Sequence, residues 1–401
     1  MRFVLGIARS IKKRAGFFKR NAGLYIDHWL KRKEKKQSDE LHLDACIQWI
    51  LKAEQKEGGI AKAWSLQLGW LESYPETTGY IISTLIDFAE FKTEEAYLKK
   101  AIELGDWEIK IQLPEGAVRV SDPNSFMSDV FDTGMVILGF TSLYETTKQE
   151  RFKLAAEKAA NWLLQVQDSD GKWSSFSFKG IPHAYHSKIA WSLYKLYKQS
   201  GNPRYKKASE KNLDWIFSEK TSDNWFNFMG FSENEDPYTH TIAYTLQGFL
   251  EIYKLMGAVE KDARLFEVPK AVCDTLIFKY GLEKPGIDSP YLLPATLSSD
   301  WKKSSNYVCL TGNAQFSIVL LDLFQITSEK KYYISATNLI KTIKLTQKLN
   351  LQTDHPLYGA IGGSYPIWGD YHANEYPNWA PKFFADALIK KIRIDRMNTI
   401  N

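Results

Sequence analysis

Two kinds of helical segment alternate along the chain. The first has an apolar stripe at helical spacing, a polar opposite face and a turn rich in Asp and Gly at its end. AANWLLQVQDSDGKWSSF, residues 159–176, is the clearest copy. Its periodic apolar positions run to Gln167, an Asp-Ser-Asp-Gly turn follows, and Trp173 comes next. Asp and Gly are what so tight a turn requires. CIQWILKAEQKEGGI repeats the unit with Trp49, Gln55 and Gly58-Gly59, and GDWEIKIQLPEGAVRV repeats it with Trp107, Gln112 and Gly116. NLDWIFSEKTSDNWF is a looser copy with Trp215 and Trp225. From Trp49 through Trp107 and Trp162 to Trp215 the intervals are 58, 55 and 53 residues. Segments near 260–278 and 330–348 continue the series at longer spacing and without a clear motif.

The second kind follows each of the first and is more apolar and richer in small residues. Its six members begin YPETTGYIIS, DVFDTGMVIL, AYHSKIAWSL, YTHTIAYTLQ, CLTGNAQFSI and YPNWAPKFFA. Several are apolar nearly all round, the mark of a buried helix. Gly79, Gly134, Gly139 and Gly248 lie inside them, where close helix packing is the reason to tolerate glycine. Six amphipathic and six buried helices predict an all-α fold. The economical closure is an (α/α)6 toroid over residues 40–395, with a basic arm at 1–39 and a short tail at 396–401. An open solenoid of helix pairs is the alternative. The closed ring is favoured because neither end has the polar face of a capping repeat.

The Gln-x-x-Asp-Gly-x-Trp of residues 167–173 resembles the repeats of squalene cyclases and protein prenyltransferases. The helix starts and the segment GAIGGSYPIWGDYHANEYPNWAPKFFADAL are more similar to toroid proteins of bacterial polysaccharide-biosynthesis loci. Both resemblances imply the same toroid. Only the second implies work on glycans.

In such a ring the inner helices run the same way, so their N-termini meet at one mouth. Aligning the six starts on the third residue, or the fourth in DVFDTGMVIL and CLTGNAQFSI, gives Glu76, Asp132, His186, His240, Gly312 and Asn378, at steps of 56, 54, 54, 72 and 66 residues. Tyr74, Tyr185, Tyr238, Asn313 and Trp379 adjoin that column. Any single acid or amide here has an ordinary explanation as a helix cap, and either His alone reads as a hydrogen-bonded wall residue. Packing alone does not ask for acids, imidazoles and amides at equivalent places, so the set is a candidate site. Glu76, Asp132, His186, His240 and Tyr185 are the candidate catalytic groups. A Glu/Asp pair suits glycoside hydrolysis, and His with Tyr suits proton abstraction beside a sugar carboxylate. The helix N-termini themselves would favour an anionic group.

The loop 350–377 is long enough to be functional and reads either as a lid or as a plug closing the ring. It brings Trp368, Asp370 and His372 as candidate substrate contacts, with Tyr371 beside them. Arg119, in the loop 114–130 with Asp122, Asn124 and Asp129, is a candidate partner for a substrate anion. Tyr74, Tyr238, Asn313, Asn378 and Trp379 complete the expected binding set.

Composition adds limits. Of 401 residues, 44% are apolar and 25% charged, as in ordinary globular proteins. The net charge is +5, yet residues 1–40 alone hold +8, leaving the body at −3. A slightly acidic body argues against nucleic-acid binding. The arm interleaves Phe3, Val4, Ile7, Ile11, Phe17, Phe18, Leu24 and Trp29 with basic residues. That pattern fits either a helix on an anionic membrane surface or a solvated arm. Three widely spaced cysteines make neither a disulfide framework nor a metal site. With no secretory h-region, a cytoplasmic protein is expected, and the membrane reading of residues 1–37 would place it at the inner-membrane surface. No metal and no cofactor is expected.

The leading expectation is a carbohydrate-active enzyme of polysaccharide biosynthesis acting on an oligosaccharide or lipid-linked glycan, by hydrolysis or by uronate epimerisation or elimination. An isoprenoid cyclase or prenyltransferase is the alternative, but the acid motif and the zinc cluster of those enzymes are missing. A non-catalytic glycan-binding assembly protein is the third reading.

Overall fold

The computed structural model describes residues 21–26, 37–221, 223–284 and 292–400. Twelve of the helices among them make two concentric rings. The outer ring is α1 (Asp39–Lys52), α3 (Glu95–Ile111), α5 (Glu150–Val166), α7 (Pro203–Ser218), α9 (Arg264–Tyr280) and α11 (Lys330–Lys344). The inner ring is α2 (Pro75–Lys92), α4 (Val130–Thr147), α6 (Ser187–Ser200), α8 (Thr239–Leu255), α10 (Leu310–Thr327) and α12 (Trp379–Ile400). Each inner helix packs on the next, and α12 packs on both α2 and α1, so the ring closes and the solenoid alternative is excluded. The two segments without a motif are helices α9 and α11. The basic arm falls mostly outside the described residues. Residues 21–26 are helical, and Tyr25 stacks on Trp368 with ring centroids 5.6 Å apart. The last helix runs to Ile400, through most of the segment set apart as a tail.

The repeat motif is a set of pins. Gln112 Nε2 donates to Gly116 O at 2.9 Å and to Ala155 O of the next outer helix at 3.1 Å. Gln167 makes the same pair with Gly171 O and Ala208 O, at 2.9 and 3.0 Å. One amide thus holds its turn and staples it to the neighbouring repeat. The turn glycines have φ of +107° and +98°, and a Cβ on either would meet an outer-helix carbonyl at 2.4 or 2.3 Å. The same device recurs unseen in the sequence: Gln347 Nε2 reaches Gly359 O at 3.0 Å and His42 O at 3.1 Å. His42 belongs to α1, so this copy staples the last repeat to the first.

Inner helices approach closely where their small residues face. A Cβ on Gly139 of α4 would lie 2.2 Å from Gly79 O of α2. Polar sutures bind the C-terminal ends. Asp322 of α10, 1% exposed, pairs with Lys254 of α8 at 2.8 Å and with Lys390 of α12. Thr84 of α2 donates to Asp386 of α12 at 2.7 Å, and Lys382 pairs with the same carboxylate at 2.6 Å.

Short strands trim the opposite, N-terminal end. β1 (Ala63–Ser65) pairs antiparallel with β2 (Gly69–Trp70) and with β7 (Glu375–Pro377). β3 (Val118–Arg119) pairs with β4 (Ser128–Asp129), and β5 (Val308–Cys309) with β6 (Ser364–Tyr365). The loop 350–377 carries β6 and β7 and so closes the ring, as the plug reading has it. The residues between these strands reach the mouth.

Candidate active site at the mouth of the ring

The N-terminal ends of the inner helices surround a cavity of about 400 Å³. Glu76, Asp132, Tyr74, Tyr185, Tyr238, His240, Asp370, His372 and Trp379 all line it, as do Lys62, Asp129, Phe131, Tyr244 and Tyr371. Tyr80, Tyr244 and Phe383 pack together beneath it. These rings separate the mouth from a second chamber at the other end of the ring.

The carboxyls are the centre of the chemistry. Asp129 is the N-cap of α4, accepting from Phe131 N at 2.6 Å and Asp132 N at 3.1 Å. That frees Asp132 from capping. It is 5% exposed, and its Oδ2 has no hydrogen-bond partner. Glu76 is 8% exposed and caps nothing, since Tyr74 precedes α2 without a side-chain cap. Burial pushes Glu76 up to about 7. Asp129 adds to the rise, while a hydrogen bond to Tyr74 and the charges of Lys62 and Lys188 oppose it. Burial pushes Asp129 up to about 6 against its two backbone bonds. Asp132 is raised well above the carboxylate range, by burial first and then by Asp129 and Glu76. Three carboxyls share one weakly solvated space and cannot all ionise near neutral pH. The cluster therefore holds a proton near neutral pH, and Asp132, raised by burial and by both neighbouring carboxyls, is the member most disposed to carry it.

The two cavity histidines are held alike. His240 Nδ1 lies 2.6 Å from Gln315 Oε1, and His372 Nδ1 lies 2.9 Å from Glu375 Oε2. An acceptor at Nδ1 fixes the proton there and leaves Nε2 as the basic nitrogen. Burial lowers His240 to about 3, so its ring is neutral at any physiological pH. The Trp379 indole N–H donates to the Tyr371 hydroxyl at 2.9 Å, fixing two rings of the wall.

Five expected site residues do not line this cavity. His186 ends a 3-10 turn (Ala184–His186) and lies fully buried among Phe131, Trp173, His183 and Tyr185. Asn378 donates to Ala61 O and Thr77 Oγ1, both at 2.8 Å, and ties α12 to the first repeat. Asn313 bridges Leu293 and Cys309 O. Arg119 is spent on Ile111 O and Ser125 O, both at 2.6 Å. Trp368, 40% exposed, packs on Tyr25. Lys62, Phe131 and Tyr244 were not expected. Lys62 lies outside the aligned column, and the two rings read as ordinary core. No group of three or more His, Cys, Asp or Glu is placed to hold a metal among the described residues.

Residues 87–192 match the family described as the squalene-hopene cyclase C-terminal domain. A crystal structure of an unsaturated glucuronyl hydrolase specific for heparin superposes with a TM-score of 0.69 at 16% identity, covering 89% of this chain and 98% of that one. The fold is the (α/α)6 toroid. Cellobiose 2-epimerase from Bacillus thermoamylovorans superposes on it with a TM-score of 0.67 at 12% identity, covering 93% and 100% of the two chains. A polysaccharide lyase gives 0.62 at 13% identity, covering 90% and 99%. No curated protein sequence matches the chain. The toroid expected from the repeats is thus the fold observed, and its structural neighbours include glycan-processing enzymes built on the same ring.

Proposed function

We propose that the mouth is the active site of a carbohydrate-active enzyme that hydrolyses a glycosidic bond with Asp132 as general acid and Glu76 as general base. The observation that carries this reading is the cluster of Glu76, Asp129 and Asp132 in a cavity walled by aromatic rings, with Asp132 buried and one of its oxygens unpartnered. Asp132 retains its proton and is suited to deliver it to the departing glycosidic oxygen. Glu76 titrates near neutrality and is suited to take a proton from the attacking water. Tyr185, Tyr238 and Trp379 offer faces for sugar rings, and Asp370 and His372 stand at the rim for hydroxyl contacts. The neighbours are named for unsaturated glucuronyl, cellobiose and polysaccharide substrates, which supports an oligosaccharide here.

Proton abstraction is the second reading, and the matched histidines favour it. His240 and His372 across one cavity would take and return a proton at a sugar carbon, giving an epimer without cleavage.

A lipid-linked glycan presented at the inner-membrane surface fits the basic amphipathic sequence of residues 1–37. Among the described residues no helix is long and apolar enough to cross a membrane. Liposome co-sedimentation of the full chain against one starting near residue 38 tests this. Equal binding rejects it.

The reaction test is incubation with acidic, unsaturated-uronyl and neutral oligosaccharides in deuterated water, followed by mass spectrometry. New reducing ends that vanish in Glu76→Gln and Asp132→Asn support hydrolysis. Deuterium gain without cleavage, lost in His240→Ala, replaces hydrolysis by epimerisation. An absorbing unsaturated product means elimination. Binding without any turnover rejects the catalytic assignment.

A further inference from the structure

The C-terminal ends of the inner helices surround the second chamber, of about 610 Å³. Exposed Asp87, Glu90 and Glu145 stand among its lining residues, so it opens to solvent away from the mouth. Most of its cations have carboxylate partners: Lys254 and Lys390 share Asp322, Lys382 has Asp386, and Arg393 has Glu90. Lys188 of α6 does not.

Lys188 is 2% exposed yet lines this chamber. Its Nζ donates to Gln247 Oε1 at 3.1 Å and otherwise lies over the rings of Trp191, Tyr244 and Phe383, at 4.8, 4.9 and 5.7 Å. No carboxylate of the described residues is within ion-pair distance of it. Lys382 places a second ammonium 4.3 Å from the centre of the same Phe383 ring. An amine kept from water beside another cation is the arrangement that favours the free base, and the free base is the nucleophile. Burial, and then the Lys382 charge, bring Lys188 down to about 7 against the more distant charges of Glu251, Asp386 and Glu76, which act to raise it. A lysine in water, near 10.4, is unprotonated in roughly one molecule in 2,500 at pH 7. The mouth chemistry proposed above needs no such amine, and a structural ion pair would have supplied a carboxylate.

We propose that Lys188 is a carbonyl-capturing nucleophile, taking a small aldehyde or ketone, such as an open-chain sugar or a keto acid, into the rear chamber as an imine. The Nζ lone pair forms a bond to the carbonyl carbon as the C=O π bond breaks onto oxygen, and one Nζ proton passes to that oxygen to make the hydroxyl of a carbinolamine. The second Nζ proton is transferred to that hydroxyl, which departs as water as the nitrogen lone pair forms the C=N bond. Addition of water reverses the sequence, so no oxidant or reductant enters. The chamber volume lies within the range of ordinary small-molecule sites. Lys188 lines the rear chamber and not the mouth; its charge is felt at Glu76, but imine formation does not depend on the glycan chemistry assigned there.

The test treats the full chain with glyceraldehyde and cyanoborohydride, which traps imines as stable secondary amines, and maps the modified lysines by mass spectrometry. At pH 7 the adduct at Lys188 is expected to exceed that at any surface lysine at least tenfold. Its formation should rise through pH 7, while surface lysines respond only toward pH 10. Lys382→Met keeps the nucleophile but removes the neighbouring charge, so its Lys188 should need a higher pH for the same labelling. Lys188→Met should lose the dominant adduct. Labelling spread over surface lysines with Lys188 unmodified overturns the proposal, and so does a Lys188 adduct that forms only at the pH of the surface residues. Both outcomes are read on the wild-type chain, so the test stands even where Lys188→Met fails to fold.

Discussion

Replacing Glu76 by Gln should stabilise the protein at alkaline pH and leave it unchanged in acid. Glu76 is 8% exposed and burial moves its proton affinity from 4.5 to about 7. Below about 4.5 the group is protonated in both folded and unfolded chains, and Gln is a close substitute. Between there and about 7 the unfolded chain releases the proton while the folded chain holds it. Stability therefore falls as pH rises through that window and levels off above it. At ~1.4 kcal/mol for each pH unit, the fall attributable to Glu76 is about 3 kcal/mol. Asp129 and Asp132 add their own losses over overlapping ranges, and removing the Glu76 charge also eases theirs.

Urea unfolding of wild type and Glu76→Gln at pH 4, 6 and 8 measures the effect. With a slope of about 3 kcal/mol per molar urea, the variant's midpoint should exceed the wild type's by about 1 M at pH 8 and match it at pH 4. Turnover should be lost in the same variant. A midpoint difference that stays constant across the range would refute the claim that the cavity penalises a charge at this position. A stabilised variant that retains turnover would keep the electrostatics and reject the catalytic role.

Asp322→Asn removes the carboxylate that Lys254 and Lys390 share, leaving two ammoniums facing a buried amide. A loss of about 3–5 kcal/mol in chemical unfolding is expected. In the wild type, burial opposes ionisation of Asp322 but the two lysines outweigh it and hold it below the usual range. Its contribution is thus present above about pH 4 and should fade only as pH falls below that. Gln167→Ala deletes two hydrogen bonds and the staple between repeats, while Asn212 Nδ2 still reaches Gly171 O at 3.0 Å, so a loss of about 2 kcal/mol or less in thermal or urea unfolding is expected, with turnover little changed. Gly139→Ala forces a methyl to within 2.2 Å of Gly79 O and must push α2 and α4 apart. It should cost more than about 2 kcal/mol and lower turnover, because Glu76 and Asp132 ride on those two helices.

Periodicity places a residue along an inner helix but not its rotation about the helix axis, and that difference divides the expected site. Glu76, Asp132 and His240 lie inside regular helical turns, so equal position in the repeat became equal position at the mouth. His186 occupies the same place in the alignment, but the chain reaches α6 through a 3-10 turn. The tighter winding rotates the ring behind Phe131. Asn313 and Asn378 were drawn to backbone carbonyls in nearby loops, contacts that depend on long-range folding. The pin at Gln347 is hidden in the sequence because its glycine stands at 359, whereas Gln112 and Gln167 find theirs four residues on. Lys188 was invisible for the opposite reason. A lysine one residue past the helix start looks solvated; Trp191 is its neighbour on the same helix, but only the packing of α8 and α12 puts Tyr244 and Phe383 around it. Local pattern sufficed for the toroid because the repeats at Gln112 and Gln167 carry their own pin and turn, and the alternation of amphipathic and buried helices continues that unit through the rest of the ring. The chemistry at the two ends arises where different repeats converge, so it follows from closure and from the orientation of each helix within the ring.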